Sequence, residues 1–199
     1  MYRIVTGNDL ALEPADDDLG EARAQLRAAR LVGDHQDQLR ERILAFVDEH
    51  PDCLHRSCLG GHLTGSGFIV DPEKGKTLLI HHAKLDRWLQ PGGHADGDGN
   101  LGAVAMKEAA EETGLVGMHL VTPAIDIDVH TIPARADEPV HLHLDLRFLV
   151  LVGHDRAPAP NHETLGARWM SLDDPACGPG TELHRGLARA LGVAAGLES

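Results

Sequence analysis

The sequence predicts an α+β fold, an α/β/α sandwich with a mixed sheet, preceded by a helical N-terminal extension. Three observations predict it: helical periodicity across the first fifty residues, a change near residue 58 to strand-like segments, and a glycine-led helix set among those strands. The expected boundaries are an extension over residues 1–57 and a main domain over residues 58–199. A chain of 199 residues with 42% hydrophobic content is long enough to bury one substantial core.

In the extension, Leu19, Ala22, Leu26 and Ala29 recur at helical spacing behind the cap-like run Asp16, Asp17, Asp18. Leu39, Ile43, Phe46 and Val47 repeat the pattern in the segment that ends before Pro51. These apolar stripes are expected to pack on the following domain or on a second copy of the chain, which would make a homodimer. Next, GHLTGSGFIV and KTLLIHH, separated by the turn-rich DPEKG, read as two strands of a hairpin. WLQPGGHADGDGN reads as a long irregular loop, and LGAVAMKEAAEET as a helix closed by Gly114. In AIDIDVHTI, Ile125, Ile127 and Val129 fall on one face and Asp126, Asp128 and His130 on the other. In VHLHLDLRFL, Leu142, Leu144, Leu146 and Phe148 oppose His141, His143, Asp145 and Arg147. Each of these strands is expected to be half buried. GARWMSL reads as a last strand, and Leu183, Leu187 and Leu191 mark a terminal helix.

The balance of 31 acidic against 18 basic residues gives a net charge of -13, which disfavours nucleic acid polymers and anionic membranes as partners. An acidic protein that handles a small phosphorylated substrate needs a cation between the two negative parties. Cys53, Cys58 and Cys177 lack the close spacing of a zinc or redox pair and are expected to be reduced thiols. The N-terminus has no signal-peptide pattern and no stretch approaches a membrane span, so the expected location is the cytoplasm.

Along the helix from Leu101, a 100° advance per residue places Leu101, Val104, Ala105, Glu108, Glu111 and Glu112 on one face. The face begins apolar and ends in three carboxylates. Their mutual repulsion costs about 0.2–0.5 kcal/mol per pair, and the negative end of the helix dipole adds about 0.3–1 kcal/mol each. A hard dication reverses both penalties, and Mg²⁺ commonly joins one or two carboxylates to substrate phosphates. The competing reading is a solvated, glutamate-rich helix face.

Read together, these residues resemble the Nudix box, G-x5-E-x7-R-E-U-x-E-E-x-G-U, where U is aliphatic. Here Gly93 is followed by Gly99, Lys107, Glu108, Ala109, Ala110, Glu111, Glu112, Thr113, Gly114 and Leu115 at that spacing, entered through Pro91 and Gly92. Two positions depart from the pattern: Gly99 stands for the first glutamate and Lys107 for the arginine. They mark either a linked change in an active subfamily or decay of the motif. The resemblance implies a Nudix-like hydrolase domain over most of residues 58–199. It carries a metal-ligand role onto Glu108, Glu111 and Glu112, with the Gly92 carbonyl as a further ligand. Lys107 would only partly replace arginine. Glu163, six residues before Trp169, resembles the family's late-loop glutamate, a general base or additional ligand.

These features lead to the expectation of a hydrolase that uses Mg²⁺, or Mn²⁺, to cut a phosphoanhydride bond in a nucleoside diphosphate derivative or similar small diphosphate. Glu111 and Lys107 would assist the chemistry, and Glu163 or Glu112 would orient the water. His94, His141, His143 and Arg147 are the expected contacts to phosphate or ribose. Trp88 serves either for base stacking or as a buried packing residue. The alternative function is a Nudix-like module that binds or senses a nucleotide without turnover, which Gly99 favours. The fourteen histidines show no spacing that defines a zinc site.

Overall fold

The computed structural model describes residues 1–7, 9–134, 138–153, 157–159 and 164–197. Its elements are β1 (Arg3–Thr6), α1 (Leu19–Ala28), α2 (Asp34–Glu49), β2 (Gly61–Asp71), β3 (Lys76–His82), β4 (Arg87–Leu89), β5 (Gly92–His94), α3 (Leu101–Thr113), β6 (His119–Ile132), β7 (His141–Leu151), β8 (Thr164–Met170) and α4 (Glu182–Leu197). Six strands follow the order β1-β6-β7-β2-β3-β4, while β5 adds to β2 and β8 to β3. The sheet is mixed because β2 and β7 run parallel, from Gly61 opposite Leu142 to Val70 opposite Leu151, whereas the other pairings are antiparallel.

Two clusters of buried side chains set the layers. Leu63, Leu144, Leu146 and Phe148 join Leu26 of α1, Ile43 of α2 and Leu101 and Ala105 of α3. Phe68, Val70, Leu79 and Leu149 join Leu187 and Ala190 of α4. The sheet therefore lies between α1–α3 and α4, the sandwich that the order of segments predicts. Helix α3 sits close on β2 because Gly65 has no side chain: a Cβ there would come within 3.2 Å of Val104 Cβ. Asn100 caps α3 by accepting from the Ala103 amide at 3.1 Å, and Gly114 ends it in the left-handed region at φ 66°.

Four expectations need correction, the first being that WLQPGGHADGDGN is not all irregular loop, since Trp88 and Leu89 belong to β4 and Gly92–His94 form β5. The extension is not wholly helical, because Arg3–Thr6 form an edge strand on β6, with Arg3 opposite Thr122. Four residues are too few to display an alternation, and the partner strand is remote in sequence. The strands β6 and β7 are not half buried: Asp126 is 1%, Asp145 2% and Arg147 5% exposed, because their polar face lies under the α4 layer and pairs its charges there. Ile125 packs in the α4 cluster while Ile127 packs on the other side, since the register shifts between Val121 and Asp126 and reverses the alternation.

Helix α2 docks on β6. Gln36 donates to the Ile127 carbonyl at 2.8 Å and accepts the Ile127 amide at 3.0 Å, so one buried amide satisfies both polar groups of a strand residue. All three cysteines are buried and unpaired, and burial raises the Cys53 thiol to about 11. Among the described residues no helix is long and apolar enough to cross a membrane.

Candidate functional site

The short strand β5 is the wall on which the site is built. Its glycines are required by close approach: a Cβ on Gly93 would lie 2.5 Å from Glu108 Cδ, and one on Gly92 would lie 2.8 Å from Ser66 Cβ. On the α3 side, Glu112 is 5% exposed and accepts the Gly92 amide at 3.1 Å. Glu108 is partly buried, 3.7 Å from the exposed Lys107 ammonium. Glu111 is exposed at the rim. The buried face of α3 thus continues from Val104 and Ala105 through Ala109 to Glu112, and Glu111 stands to one side of it. Among the described residues these three acids do not form a group of donors within 4.8 Å of one another. The donor set nevertheless suits a hard divalent cation: carboxylates within one turn of helix, two of them partly or fully buried, beside a strand backbone with no side chain in the way.

The loop that enters α3 explains the first departure from the box. Gly99 donates to the Ala15 carbonyl at 2.8 Å, Asp17 to the Gly97 carbonyl at 2.7 Å, and the Ala15 amide to Asp98 Oδ1 at 2.8 Å. A Cβ on Gly99 would come within 2.8 Å of the Asp18 carbonyl carbon and 3.1 Å of the Ala15 oxygen. The N-terminal segment therefore occupies the space that any Cβ at this position needs. The glycine lets residues 15–18 pack against the loop. The loop acids are also engaged, Asp96 in a bidentate pair with Arg56 at 2.7 Å and Asp98 with the Ala15 and Asn100 amides.

The sheet face opposite α3 carries the remaining polar residues. Arg147 is buried and donates to Asp145 and Asp128 at 2.8 Å each, with Asp126 at 3.5 Å. Burial works against its charge, but the three aspartates outweigh it and raise its pKa. Asp126 also pairs with Arg185 of α4, and Asp145 accepts from Thr64 and Ser66 of β2. The guanidinium expected to meet phosphate is thus held inside a network of acids.

Next to this network, β2, β5 and β7 bring His62, His94 and His143 together. The parallel pairing sets His62 opposite His143, and the β2–β5 pairing sets His94 opposite Thr64. The ring centroids of His62 lie 4.7 Å from His94 and 4.9 Å from His143. His141 is at the same end, its Nδ1 directed at the Pro139 carbonyl at 2.9 Å. Burial holds the rings of His62 and His94 at about 4 and that of His143 at about 2. His62 escaped the sequence reading, and Asp145 figures there only as part of a strand's polar face. The signal that would have pointed to His62 is the alternation of His62, Thr64 and Ser66 along β2.

Trp88, on β4, stacks on His81 at 5.0 Å with the Arg168 guanidinium 5.2 Å from its ring centre, so its contacts in the fold are both packing and cation–π. Glu163 lies outside the described residues.

Comparison with known proteins agrees with this architecture. Residues 61–191 match the family model described as the NUDIX domain. No curated protein matches the chain. Among solved structures, a C. elegans Ap4A hydrolase in a binary complex superposes with a TM-score of 0.55 at 17% identity, covering 67% of this chain and 98% of that one. An E. coli dihydroneopterin triphosphate pyrophosphohydrolase superposes with a TM-score of 0.50 at 14% identity, covering 63% of this chain and 90% of that one. At such identities the likeness concerns the fold.

Proposed function

The chain belongs to the NUDIX domain family, and on that premise we propose that it is a Mg²⁺-dependent hydrolase that cuts a phosphoanhydride bond in a nucleoside diphosphate derivative or a similar small diphosphate. The observation that carries the reading is the buried Glu112 carboxylate on the Gly92 amide, with Glu108 beneath Gly93. Burying an acid beside the two glycines of β5 is costly for a helix face, and a cation held there would offset that cost.

Glu108, Glu112 and the Gly92 carbonyl are the residues that would hold Mg²⁺, or Mn²⁺ in its place, with Glu111 joining from the rim. The cation supplies charge neutralisation for the phosphoryl oxygens. Glu112 fixes β5 against α3 through the Gly92 amide, so the wall facing the diphosphate is rigid. Glu112, or Glu163, takes the proton of the attacking water. Lys107, with its ammonium 3.7 Å from Glu108, adjusts the orientation of that carboxylate from the surface. His94, His141 and His143 lie on the face of β5 opposite Glu108, so they would meet only a part of the substrate that reaches round the strand, and Trp88 would stack on a base only by giving up its contact with His81 or Arg168. Arg147 acts as a positioning residue: its hydrogen bonds to Asp145 and Asp128 keep β6 and β7 in fixed relation to the histidines.

A second reading, nucleotide binding without turnover, is favoured by Gly99, which removes one acid of the box. The experiment that separates the two is incubation with Mg²⁺ and a panel of nucleotide diphosphates, followed by chromatography of the phosphate species. The hydrolase reading predicts product from the wild type and a loss of about 10²–10⁴-fold in Glu112→Gln. Tight binding with no product from either protein would establish the binding module instead.

A further inference from the structure

We propose that His62, His94 and His143 form a second metal site, a tri-histidine site for a zinc-class divalent transition metal, on the face of β5 opposite the glutamates.

The three side chains form, among the described residues, the one group of three metal-ligating donors whose atoms all lie within 4.8 Å of one another. A tetrahedral ion with bonds of roughly 2.1 Å needs ring nitrogens about 3.4 Å apart. His94 Nε2 and His143 Nε2 are already at 3.1 Å, so only small rotations are required to admit an ion. His62 supplies the independent sign of a missing ligand. It is 4% exposed, and neither its Nδ1 nor its Nε2 meets a partner at hydrogen-bonding geometry, the Cys58 backbone acting on it only weakly, although its ring faces both other imidazoles. A buried imidazole ordinarily satisfies at least one nitrogen. His141, with one nitrogen on the Pro139 carbonyl, and His130, with one on Asp128, lie nearby but outside this group of three donors.

The chemistry of the site selects the ion. Three imidazoles suit Zn²⁺ and its neighbours, whereas Mg²⁺ demands oxygen. His62 forms the floor, while the partly exposed His94 and His143 leave an entry path and a fourth coordination position for water or a ligand oxygen. Along β5 the alternation of faces divides the two sites: Gly93 points at Glu108, and His94 points at the imidazoles. The inference rests on the histidine geometry and does not depend on the hydrolase reading.

The test uses full-length protein without a histidine tag, stripped with chelator and titrated with Zn²⁺ in excess Mg²⁺ by calorimetry. One equivalent is expected to bind. His62→Ala and His143→Ala are each expected to weaken binding by roughly 100-fold, while Glu112→Gln leaves it unchanged. Zinc-edge absorption on the wild type is expected to show three imidazole nitrogens in the first shell, which decides the matter even if a variant fails to fold. Absence of binding to the wild type, unchanged affinity in both histidine variants, or a first shell of oxygens would each overturn the proposal.

Discussion

Substitution of Gly99 tests whether the departure from the box is steric. A Cβ at this position meets backbone atoms of Asp18 and Ala15, which cannot swing aside as a side-chain end can. Either the core of the contact is overpacked, at about 1–3 kcal/mol, or the segment lifts away. Lifting breaks the bonds between Gly99 and Ala15, Ala15 and Asp98, and Asp17 and Gly97, at about 0.5–1.5 kcal/mol each. It also disturbs Asp18, which caps α1 by accepting the Gly20 amide at 2.8 Å. The expected loss is about 2–4 kcal/mol for Gly99→Ala and nearly the same for Gly99→Glu, since the first carbon already collides. Equilibrium urea denaturation measures it, with a fall in Tm of roughly 5–15 °C as a check. Limited proteolysis should cut first between residues 11 and 18. A Gly99→Ala protein within about 0.5 kcal/mol of wild type would refute the steric account, as would a glutamate that costs far more than alanine.

Arg147→Met should destabilise the protein by about 3–5 kcal/mol in chemical denaturation, because it leaves Asp145, Asp128 and Asp126 buried around a lost cation. Unchanged stability would show that the network does not need its arginine. For His62, burial lowers the pKa from 6.5 to about 4, so the unfolded chain takes up the proton first as the pH falls. Its contribution is complete above pH 6.5 and is lost as the pH drops to about 4, by about 3 kcal/mol at ~1.36 kcal/mol per unit. Denaturation of chelator-treated protein across that window should show the slope, and His62→Phe should flatten it; an equal slope in both would count against the assignment.

What was legible in the sequence was local. The hairpin of β2 and β3 was marked by the DPEKG turn. The start of α3 after Asn100, its end at Gly114 and the position of α4 follow from caps and periodicity that act over a few residues. The glutamates on α3 were legible for the same reason, apart from the exposure of Glu111, since a wide helical arc does not reveal which edge meets β5. What stayed hidden depends on remote pairing. The strand Arg3–Thr6 declares itself only against β6, and Gly99 reads as a loss until Ala15–Asp18 are seen lying on it. His62 joins His143 through a parallel pairing between strands far apart in the chain, which no spacing rule in the sequence encodes. Arg147 alternates as a surface residue would, and only the α4 layer shows that its face is interior.

The most direct measurement is anomalous diffraction at the manganese edge from crystals soaked in Mn²⁺ with a nonhydrolysable diphosphate analogue. The account predicts a peak bridging the Glu108 and Glu112 carboxylates and the analogue beside Gly92. No peak at that position, or one confined to the three imidazoles across β5, would contradict it.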